Sequence, residues 1–348
     1  MTLVTRNSMV SKVEKTPKVS VILTVKNEER TIGRAIESVL GIDYPDYEVI
    51  VVDTGSEDQT VRIAKQYGIK TIQVNASTPG IGRNVGIKNS SGEIVAFVDG
   101  DCYVSRKDWL KTAVGLLRQK NIGGVSGPVI SSSQSTYMSK VLLDVFSTFF
   151  AGAGSASFSR YKKQKELKSL PSANAVYRRE ALEKVGLFSE DLSFCEDTDL
   201  SYRIQKAGYR LIYSPDTVVE HDWKVYSFTS LFNHMLKYGA GRAVAGKRYH
   251  YLFSFFHTVP SFALICLSLL LILSFLYNGP FMLATVLLVG SYGASALVSA
   301  LLAAYQFRDM KMLAIAPLTY ILVHTGYAIG FISGLFSRNA KSPARRCV

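Results

Sequence analysis

Short β-branched runs alternate with helical patterns in the N-terminal part of the chain, and this order restricts the fold more than any other feature. The runs KVSVILTV (18–25), YEVIVVD (47–53), KTIQVN (70–75) and EIVAFVD (93–99) are typical of strands bounded by turns. Between them, TIGRAIESVL and TVRIAKQYG repeat apolar residues at helical spacing. The alternation predicts an α/β fold with a mostly parallel sheet, whose ligands bind beyond the carboxyl ends of the strands.

Three long apolar stretches, nearly free of charge, follow at 252–276, 281–304 and 313–336. Each exceeds the roughly 20 residues that a helix needs to cross the hydrocarbon core of a bilayer. We therefore expect a soluble domain followed by a transmembrane region of about three helices within 251–337. The segment 1–17 is polar and basic, with no signal-peptide pattern, which predicts a multi-pass protein of the cell membrane whose soluble domain is cytoplasmic.

The net charge of +13 raises the question of a nucleic-acid partner. For a membrane-attached domain, attraction to anionic headgroups is the simpler explanation. The soluble part has no obvious basic-aromatic stripe, so we expect no nucleic acid among the partners. Basic residues precede the first apolar stretch, as a positive-inside bias predicts, but the tail 338–348 is also basic. With three full spans this basic tail would lie outside the cell, against the positive-inside bias. That conflict favours a re-entrant or interfacial position for one of the three stretches.

Two carboxylates separated by one glycine, Asp99 and Asp101, end the fourth β-branched run. Acids at this spacing suit a hard divalent cation, which takes oxygen ligands and often shares them with phosphate. Such a cation would neutralise the charge that grows on a diphosphate leaving group. On spacing alone, a β-turn in which Asp99 accepts backbone N–H groups and Asp101 is solvated explains the pattern equally well.

A second acidic cluster, Glu196, Asp197 and Asp199, begins a predicted helix. Acids there satisfy the helix dipole and its free N–H groups, which is the explanation we favour for Asp199. For Asp197 the alternatives are the same capping role and a general base that deprotonates an acceptor hydroxyl. His221, after a further β-like run, is either a packed or surface histidine or a third protein ligand of the metal.

These segments, in this order, resemble the family 2 inverting glycosyltransferases of GT-A fold. The similarity covers about residues 18–225. It implies a Rossmann-like catalytic domain at 18–230, sugar transfer from a nucleotide-diphosphate sugar, and Mn²⁺ or Mg²⁺ as cofactor. The matching residues are VSVILTVKNEERTIGRAIESVL, VIVVDTGSEDQT, GRNVGI, GEIVAFVDGDC, ANAVYRREALEKVGLFSEDL and EDTDLSYRIQKAGYRLIYSPDTVVEH.

The resemblance also implies a donor site. Thr24, Lys26 and Glu28 would line the nucleoside pocket, with Asp53 near the base. Arg83 would face the diphosphate, which suits a bidentate guanidinium. Thr54 stands where the family often has a second aspartate, so the implied base recognition is weaker than the implied metal binding.

For the metal and the chemistry, the resemblance implies a further set of residues. Asp99 would meet the ribose or the metal, Asp101 would be the main metal ligand, and His221 an additional one. Asp197 would be the catalytic base. Two further residues would lie on the acceptor side, namely Asn174 and Glu196.

The C-terminal part resembles the membrane-associated branch of the family, most of all the succinoglycan-biosynthesis type that extends lipid-linked oligosaccharides. The segments LFNHMLKYGAGRAVAGKRYH (231–250) and HTGYAIGFISG (324–334) carry this likeness. The QxxRW motif of processive synthases is absent, which implies a non-processive enzyme. The implied partners are a UDP- or GDP-sugar, a polyprenyl-phosphate-linked saccharide acceptor and membrane lipids, in cell-surface glycan or polysaccharide synthesis.

Segment 231–250 is predicted to be an amphipathic element at the membrane interface, with Met235 and its apolar neighbours facing lipid and Lys237 and Arg242 meeting phosphates. A surface helix leading into the first span is the alternative. Glycines in the last apolar stretch repeat every four residues, which predicts close helix packing within the anchor. They are Gly326, Gly330 and Gly334.

Two other functions stay open at this point. A polyprenyl-phosphate glycosyl synthase would use the lipid phosphate itself as acceptor, and that oxygen is already ionised near neutral pH, so the enzyme would need no base. A non-catalytic, nucleotide-binding membrane adaptor would bind the sugar nucleotide without turnover. The intact DGD and ED pairs count against the adaptor.

Overall fold

The computed structural model describes residues 16–152, 161–249, 255–277 and 279–337. The predicted N-terminal segment up to residue 15 and the basic tail 338–348 lie outside the described residues. The strands are β1 (Val19–Val25), β2 (Tyr47–Asp53), β3 (Lys70–Gln73), β4 (Ile94–Asp99), β5 (Cys102–Val104), β6 (Ile122–Ser126), β7 (Val129–Ser131), β8 (Lys165–Glu166), β9 (Asn174–Arg178), β10 (Arg210–Tyr213) and β11 (Val219–His221). The helices are α1 (Ile32–Leu40), α2 (Thr60–Gln66), α3 (Pro79–Lys88), α4 (Trp109–Leu117), α5 (Tyr137–Phe146), α6 (Phe149–Gly152), α7 (Arg179–Lys184), α8 (Glu196–Lys206), α9 (Phe228–Arg248), α10 (Phe255–Tyr277), α11 (Pro280–Phe307) and α12 (Met312–Phe336).

An eight-stranded sheet in the order β3-β2-β1-β4-β9-β6-β10-β8 forms the centre of the fold. The pairs β1–β2, β1–β4, β2–β3 and β6–β10 are parallel, whereas β9 runs antiparallel between β4 and β6. The predicted α/β class with a mostly parallel sheet is confirmed. In the register, Thr24 pairs with Asp99 and Val25 with Asp53, so these residues share one edge of the sheet.

Both faces of the central sheet are buried, which follows from the sequence of its strands. Alternate side chains of a strand point to opposite faces, and β1 is apolar on both. Leu23 packs in the apolar cluster that contains Ile36 of α1, whereas Ile22 packs on the other face with Ile87 of α3 and Leu200 of α8. This double burial holds β1 rigidly, together with the residues that follow it.

Helix α3 lies directly on the strands because its glycines face the sheet. A Cβ atom added at Gly86 would lie 2.5 Å from Cγ2 of Ile22, and one added at Gly82 would lie 2.8 Å from Cγ2 of Thr24. Both distances are well inside van der Waals contact, so the close approach requires glycine. Arg83, next to Gly82, is thereby brought to the carboxyl end of β4.

The three apolar stretches form the helices α10, α11 and α12, and each is long and apolar enough to cross a membrane. The first predicted stretch begins at 252, and its residues 252–254 lie outside the described residues. The helices differ in burial. Only 6% of the apolar segment of α10 is buried inside the protein, whereas 44% of the apolar segment of α12 is buried.

The predicted amphipathic segment forms α9, but its sides are arranged differently from the prediction. The side chains of Met235 and Arg242 are buried, with 2% and 9% exposure, so the expectation that they meet lipid and phosphates is wrong. Both are covered because α9 packs along α12. The predicted close packing of Gly326, Gly330 and Gly334 is observed, although the partner of these glycines is α9.

The contact between α9 and α12 leads to a prediction about Gly330→Ala. An added Cβ would lie 2.0 Å from the backbone oxygen of Leu236, so the two helices must separate. We expect a loss of roughly 1–3 kcal/mol in the free energy of unfolding, as for other overpacked sites. Thermal unfolding of the purified protein in detergent measures it.

The matched control is Gly290→Ala in α11, where no described atom outside its own helix lies within 4 Å of the added Cβ. That change should leave the midpoint almost unaltered, because alanine is the better helix former. Equal midpoints for the two variants would contradict the close packing of α9 on α12.

Candidate active site

The two acids of the DGD motif stand at the carboxyl edge of the sheet. Asp99 is the last residue of β4, and Asp101 immediately precedes β5. Between them, a Cβ atom added at Gly100 would lie 2.7 Å from Cγ1 of Val25 and 2.8 Å from Cγ of Glu28. The turn therefore lies against the loop that follows β1, and the glycine is required by this close approach.

A small second sheet brings His221 to Asp101. In this sheet, of order β5-β11-β7, His221 pairs with Cys102 across the antiparallel strands β11 and β5. Nε2 of His221 lies 3.3 Å from Oδ1 of Asp101. One potential ligand atom from each of Asp101, Cys102 and His221 lies within 4.8 Å of the other two. The prediction that the DGD motif and this histidine come together agrees with this geometry.

The chemistry of these three groups suits a hard divalent cation held by the carboxylate and the imidazole. Burial raises the pKa of the Cys102 thiol well above its usual range, and Asp101 and Asp99 add to the effect. The thiol therefore stays protonated at neutral pH and is a poor ligand. Asp101 and His221 are the two protein groups here that fit a Mn²⁺ or Mg²⁺ ion.

Asp101 and His221 also stabilise each other's charge. Burial works against ionisation of both, but the neighbouring imidazole lowers the pKa of Asp101 below its usual value. For His221, burial is likewise opposed by Asp101 and Asp99, which raise the pKa of the imidazole above its usual value. Both shifts favour an imidazolium–carboxylate ion pair, which a bound metal ion would have to open.

Glu28 lies beside the Asp101–His221 pair, and its pKa is affected by the charge of Asp101. Its backbone N–H donates to Oγ1 of Thr60 at 2.7 Å, its carboxylate accepts from Thr31 at 2.8 Å, and the carboxylate forms an ion pair with Lys224. Burial, and secondly Asp101, raise the pKa of Glu28 to about 7. Lys224 was not predicted as a site residue. The only sequence signal was its position three residues after His221.

Arg83 joins the two acidic clusters. Its Nη1 donates to Oε1 of Glu196 at 2.5 Å, and its Nη2 donates to Oδ1 of Asp99 at 3.1 Å. The Arg83 side chain is only 6% exposed, and the aromatic ring of Phe188 lies 5.5 Å from its guanidinium. The role toward a diphosphate stays a prediction, since both Nη groups are bound to carboxylates in this structure.

Asp197 stands in the first turn of α8, after Cys195, which has the left-handed φ of +62°. Oδ1 of Asp197 accepts from the N–H of Thr198 at 2.6 Å. Burial raises the pKa of the Asp197 carboxyl, and the guanidinium groups of Arg242 and Arg83 oppose this effect. A carboxylate whose pKa is shifted toward neutrality in this way is suited to accept a proton.

Asp199, the third acid of the cluster, is structural, as expected, but not as a cap. Its side chain is fully buried and accepts from Nη2 of Arg203 at 2.7 Å and from Oγ of Ser189 at 2.5 Å. Arg248 at the end of α9 approaches its other oxygen at 3.8 Å. Asp199 therefore ties α8 to its surroundings.

The remaining predicted donor residues lie near the ends of β1 and β2. Thr24 is half-buried, and its Oγ1 has no hydrogen-bond partner among the described residues. Lys26 is exposed on the loop after β1. The carboxylate of Asp53 is buried and accepts from the N–H groups of Gly55 and Ser56. Their roles toward a nucleoside stay predictions.

The acceptor-side prediction for Asn174 is wrong. This residue is fully buried, and its side chain is bonded within the core: it accepts from Nε1 of Trp109 at 3.1 Å and donates to the carbonyl oxygens of Thr217 and Pro128. Such an amide holds three chain segments together and cannot reach an acceptor. Glu196, the other acceptor-side residue, is buried as well, with 8% exposure, and is bound to Arg83.

Helix α9 forms a wall behind Asp197 that the sequence did not predict. A Cβ atom added at Gly241 would lie 2.4 Å from Cβ of Phe194, just before Cys195. The ring of His234 lies 6.4 Å from that of Phe194, edge to face. Arg242, which follows Gly241 in α9, is buried and supplies positive charge toward Asp197.

Comparison with known proteins places the chain in a family. The model of glycosyl transferase family 2 matches residues 20–186. Glycosyltransferase AglE of Haloferax volcanii is 31% identical over 235 residues, which cover 65% of this chain and 73% of AglE. Probable glycosyltransferase YdaM of Bacillus subtilis is 26% identical over 227 residues, which cover 60% of this chain and 53% of YdaM. The chain belongs to glycosyl transferase family 2, which confirms the predicted enzyme class.

Among solved structures, mannosyltransferase PcManGT from Pyrobaculum calidifontis, in complex with GDP-Man and Mn²⁺, has a TM-score of 0.58 to this chain. The two are 19% identical, and the superposition covers 93% of this chain and 89% of PcManGT. At this identity the likeness concerns the fold, and the predicted GT-A fold is confirmed. The donor sugar and the ion belong to the mannosyltransferase.

The ion pair of Asp101 and His221 predicts how metal binding depends on pH. A cation held by these groups must displace the imidazole proton. Because the pKa of His221 is raised, protons compete up to a higher pH than for a free imidazole. Mn²⁺ affinity should therefore fall as the pH is lowered from about 8 to about 6. The signal of free Mn²⁺ in electron paramagnetic resonance measures it.

Asp101→Asn should weaken Mn²⁺ binding by at least about tenfold, since even outer groups of a metal site have effects of that size. The control is Asp216→Asn, the same chemical change at a side chain that is 59% exposed. Equal affinity of the Asp101 variant and the control would place the metal elsewhere.

Proposed function

We propose that the chain transfers one sugar per encounter, with inversion, from a UDP- or GDP-sugar to a polyprenyl-phosphate-linked saccharide. Membership of glycosyl transferase family 2 supports sugar transfer. The observation that carries the proposal is the double ion pair of Arg83 with Asp99 and Glu196. Asp99 lies beside the Asp101–His221 pair, and Glu196 is the neighbour of Asp197 in the sequence. Metal-binding groups and a carboxylate base thus surround one guanidinium.

Asp101 and His221 are the residues that would hold a Mn²⁺ or Mg²⁺ ion, and Asp99 is the nearby alternative ligand. The Mn²⁺ in the mannosyltransferase of the same fold supports a divalent cation. When bound, the ion would neutralise the charge that develops on the diphosphate. The carboxylate and imidazole donors of this chain fit such an ion.

Asp197 is the proposed general base. Its carboxylate accepts the proton of an acceptor hydroxyl, whose oxygen forms the new bond to the anomeric carbon while the bond from that carbon to the diphosphate oxygen breaks. The nucleoside diphosphate leaves with the bonding electrons. Arg83 and Arg242 favour the ionised form of Asp197, so the base is available despite its burial.

A lipid-linked acceptor is the part of the proposal that rests on the C-terminal helices. Helices α10 and α11 expose apolar side chains over most of their length and are long enough to cross a bilayer. Anchoring of this extent suits a substrate that is itself held in the membrane. The anchored chain meets its acceptor at the membrane surface.

The experiment uses purified protein in detergent, a panel of labelled sugar nucleotides with Mn²⁺, and lipid extract from the source organism, with label counted in the organic phase. Wild type should transfer label from one donor. Asp197→Asn should lose about 10²–10⁴-fold in rate, as expected for a general base. Asp101→Asn should lose metal-dependent transfer, while Asp216→Asn should behave as wild type.

The outcomes separate the proposal from its rivals. Near-wild-type transfer by Asp197→Asn, with loss in Asp101→Asn, would favour a polyprenyl-phosphate glycosyl synthase. Binding of a sugar nucleotide without any transfer would favour the non-catalytic adaptor.

A further prediction concerns the pH profile of transfer. The charged groups that face Asp197 are Arg83 from α3, Arg242 from α9 and Glu196, which precedes Asp197 in α8. Removing the positive charge in Arg242→Gln should raise the pKa of Asp197 further, so the acidic limb of kcat/KM should move to higher pH. Arg242→Lys keeps the charge and should restore the wild-type limb. A lower rate with an unmoved limb in Arg242→Gln would show that Arg242 acts only through packing.

A further inference from the structure

The start of α12 contacts α5 of the catalytic domain, and its end contacts α9, which Arg248 joins to that domain through Asp191. At its start, the hydroxyl of Tyr137, at the beginning of α5, donates to Oδ2 of Asp309 at 2.8 Å, and Nζ of Lys311 lies 5.3 Å from the centre of the Tyr137 ring. At its end, Nζ of Lys247 in α9 donates to the carbonyl oxygens of Leu335 and Ser337, at 2.9 and 2.7 Å. Because both of its ends are bonded to this part of the protein, α12 lies along it.

The middle of α12 is held by the same domain. Nε2 of His324 bonds to the carbonyl oxygen of Phe150 in α6 at 2.8 Å. Val323 and Tyr327 share an apolar cluster with Leu142 of α5 and Leu231 of α9. A second side of α12 packs against α11, where Nδ1 of His324 lies 2.9 Å from the hydroxyl oxygen of Tyr292. The remaining side is exposed.

Helices α9 and α12 run in the same direction with their backbones in contact. Added Cβ atoms at Gly326, Gly330 and Gly334 would meet, in this order, the backbone oxygens of Phe232, Leu236 and Ala240. The C-terminal half of α12, from Gly326 onward, therefore lies at the same depth in a membrane as α9.

Helix α9 is unsuited to the interior of a bilayer. Lys237 is exposed, and Arg248 forms ion pairs with Asp191 and, more distantly, Asp199 at the base of α8. Carrying these charges into hydrocarbon is unfavourable by several kcal/mol. With 25 residues at about 1.5 Å each, α12 is long enough to span, but spanning would put its two ends on opposite sides of the membrane. Its contacts put its start against α5 and its end against α9, which is itself bonded to the charged catalytic domain.

The side of α12 that the protein leaves exposed is apolar. It carries Leu318, Ile321, Ile329 and Phe336, with exposures from 43% to 83%. This stripe follows helical spacing and adjoins the exposed apolar surface of α10, whose Ser261 donates to the backbone oxygen of Ala328. An apolar stripe on a helix fixed to a charged domain matches the boundary between headgroups and acyl chains.

The geometry points to a two-span topology: the α10–α11 hairpin crosses the membrane, and α12 lies in the plane of the lipid surface between that surface and the catalytic domain. The end of α10 at Tyr277 and the start of α11 at Pro280 then lie at the far side, and the chain returns before α12 begins. The basic tail 338–348 ends on the side of the catalytic domain. This position removes the conflict between that tail and a positive-inside bias.

The test uses Cys347 of the tail as a natural probe in the full-length chain. A membrane-impermeant maleimide is added to intact cells and, separately, to inside-out vesicles, and Cys347→Ser defines the background. In the Cys347→Ser chain, Glu57→Cys reports the catalytic domain and Tyr277→Cys reports the end of α10. Both positions are exposed, and the Tyr277 side chain is 69% exposed.

We expect Cys347 and Glu57→Cys to label in the same preparation and Tyr277→Cys in the other. Labelling of Cys347 together with Tyr277→Cys, opposite to Glu57→Cys, would show that α12 spans and would overturn the inference. Labelling of all three from one side would overturn it too, because the α10–α11 hairpin would then not cross. The proteins need not be active, so the result is independent of the proposed reaction.

Discussion

The buried guanidinium of Arg83 is the interaction on which the candidate active site depends. It pairs with Asp99 from the sheet edge and with Glu196 from α8, segments far apart in the chain. Removing one partner of such a buried network leaves an uncompensated charge, which typically destabilises a protein by about 3–5 kcal/mol. Arg83 can reach both carboxylates only because Gly82 and Gly86 bring α3 against β1. These two glycines of α3 thus allow close packing and position a charge.

The sequence was sufficient to predict the first half of the sheet, because each of its strands carries a local signal. β1 is apolar on both faces, and turn residues bound it. The order of the second half depends on pairing between distant segments. β9, Asn174–Arg178, inserts antiparallel between β4 and β6, and this choice follows from tertiary contacts that no local pattern records.

The residues of the candidate site also differ in whether a local sequence signal or only tertiary contacts determine their position. Asp101 was predictable because it follows the run that forms β4, at the carboxyl edge of the central sheet. His221 ends a second β-like run, and the small sheet of β5, β11 and β7 brings it to Asp101. Asn174 was not predictable, because its burial depends on partners from three remote segments, one of which supplies Trp109. Arg242 looked like an exposed cation in the sequence, and only the packing of α12 on α9 shows that it is buried.

Helix α9 connects membrane attachment to the proposed chemistry. Cys195 holds a left-handed conformation that costs a residue other than glycine about 1–3 kcal/mol, so neighbouring contacts must enforce it. The close contact of Gly241 with Phe194 supplies one. His234 adds another, and burial lowers the pKa of its imidazole to about 4, so this contact is neutral at physiological pH. Since α12 fixes α9 by backbone contact, α9 cannot tilt without moving the turn that presents Asp197.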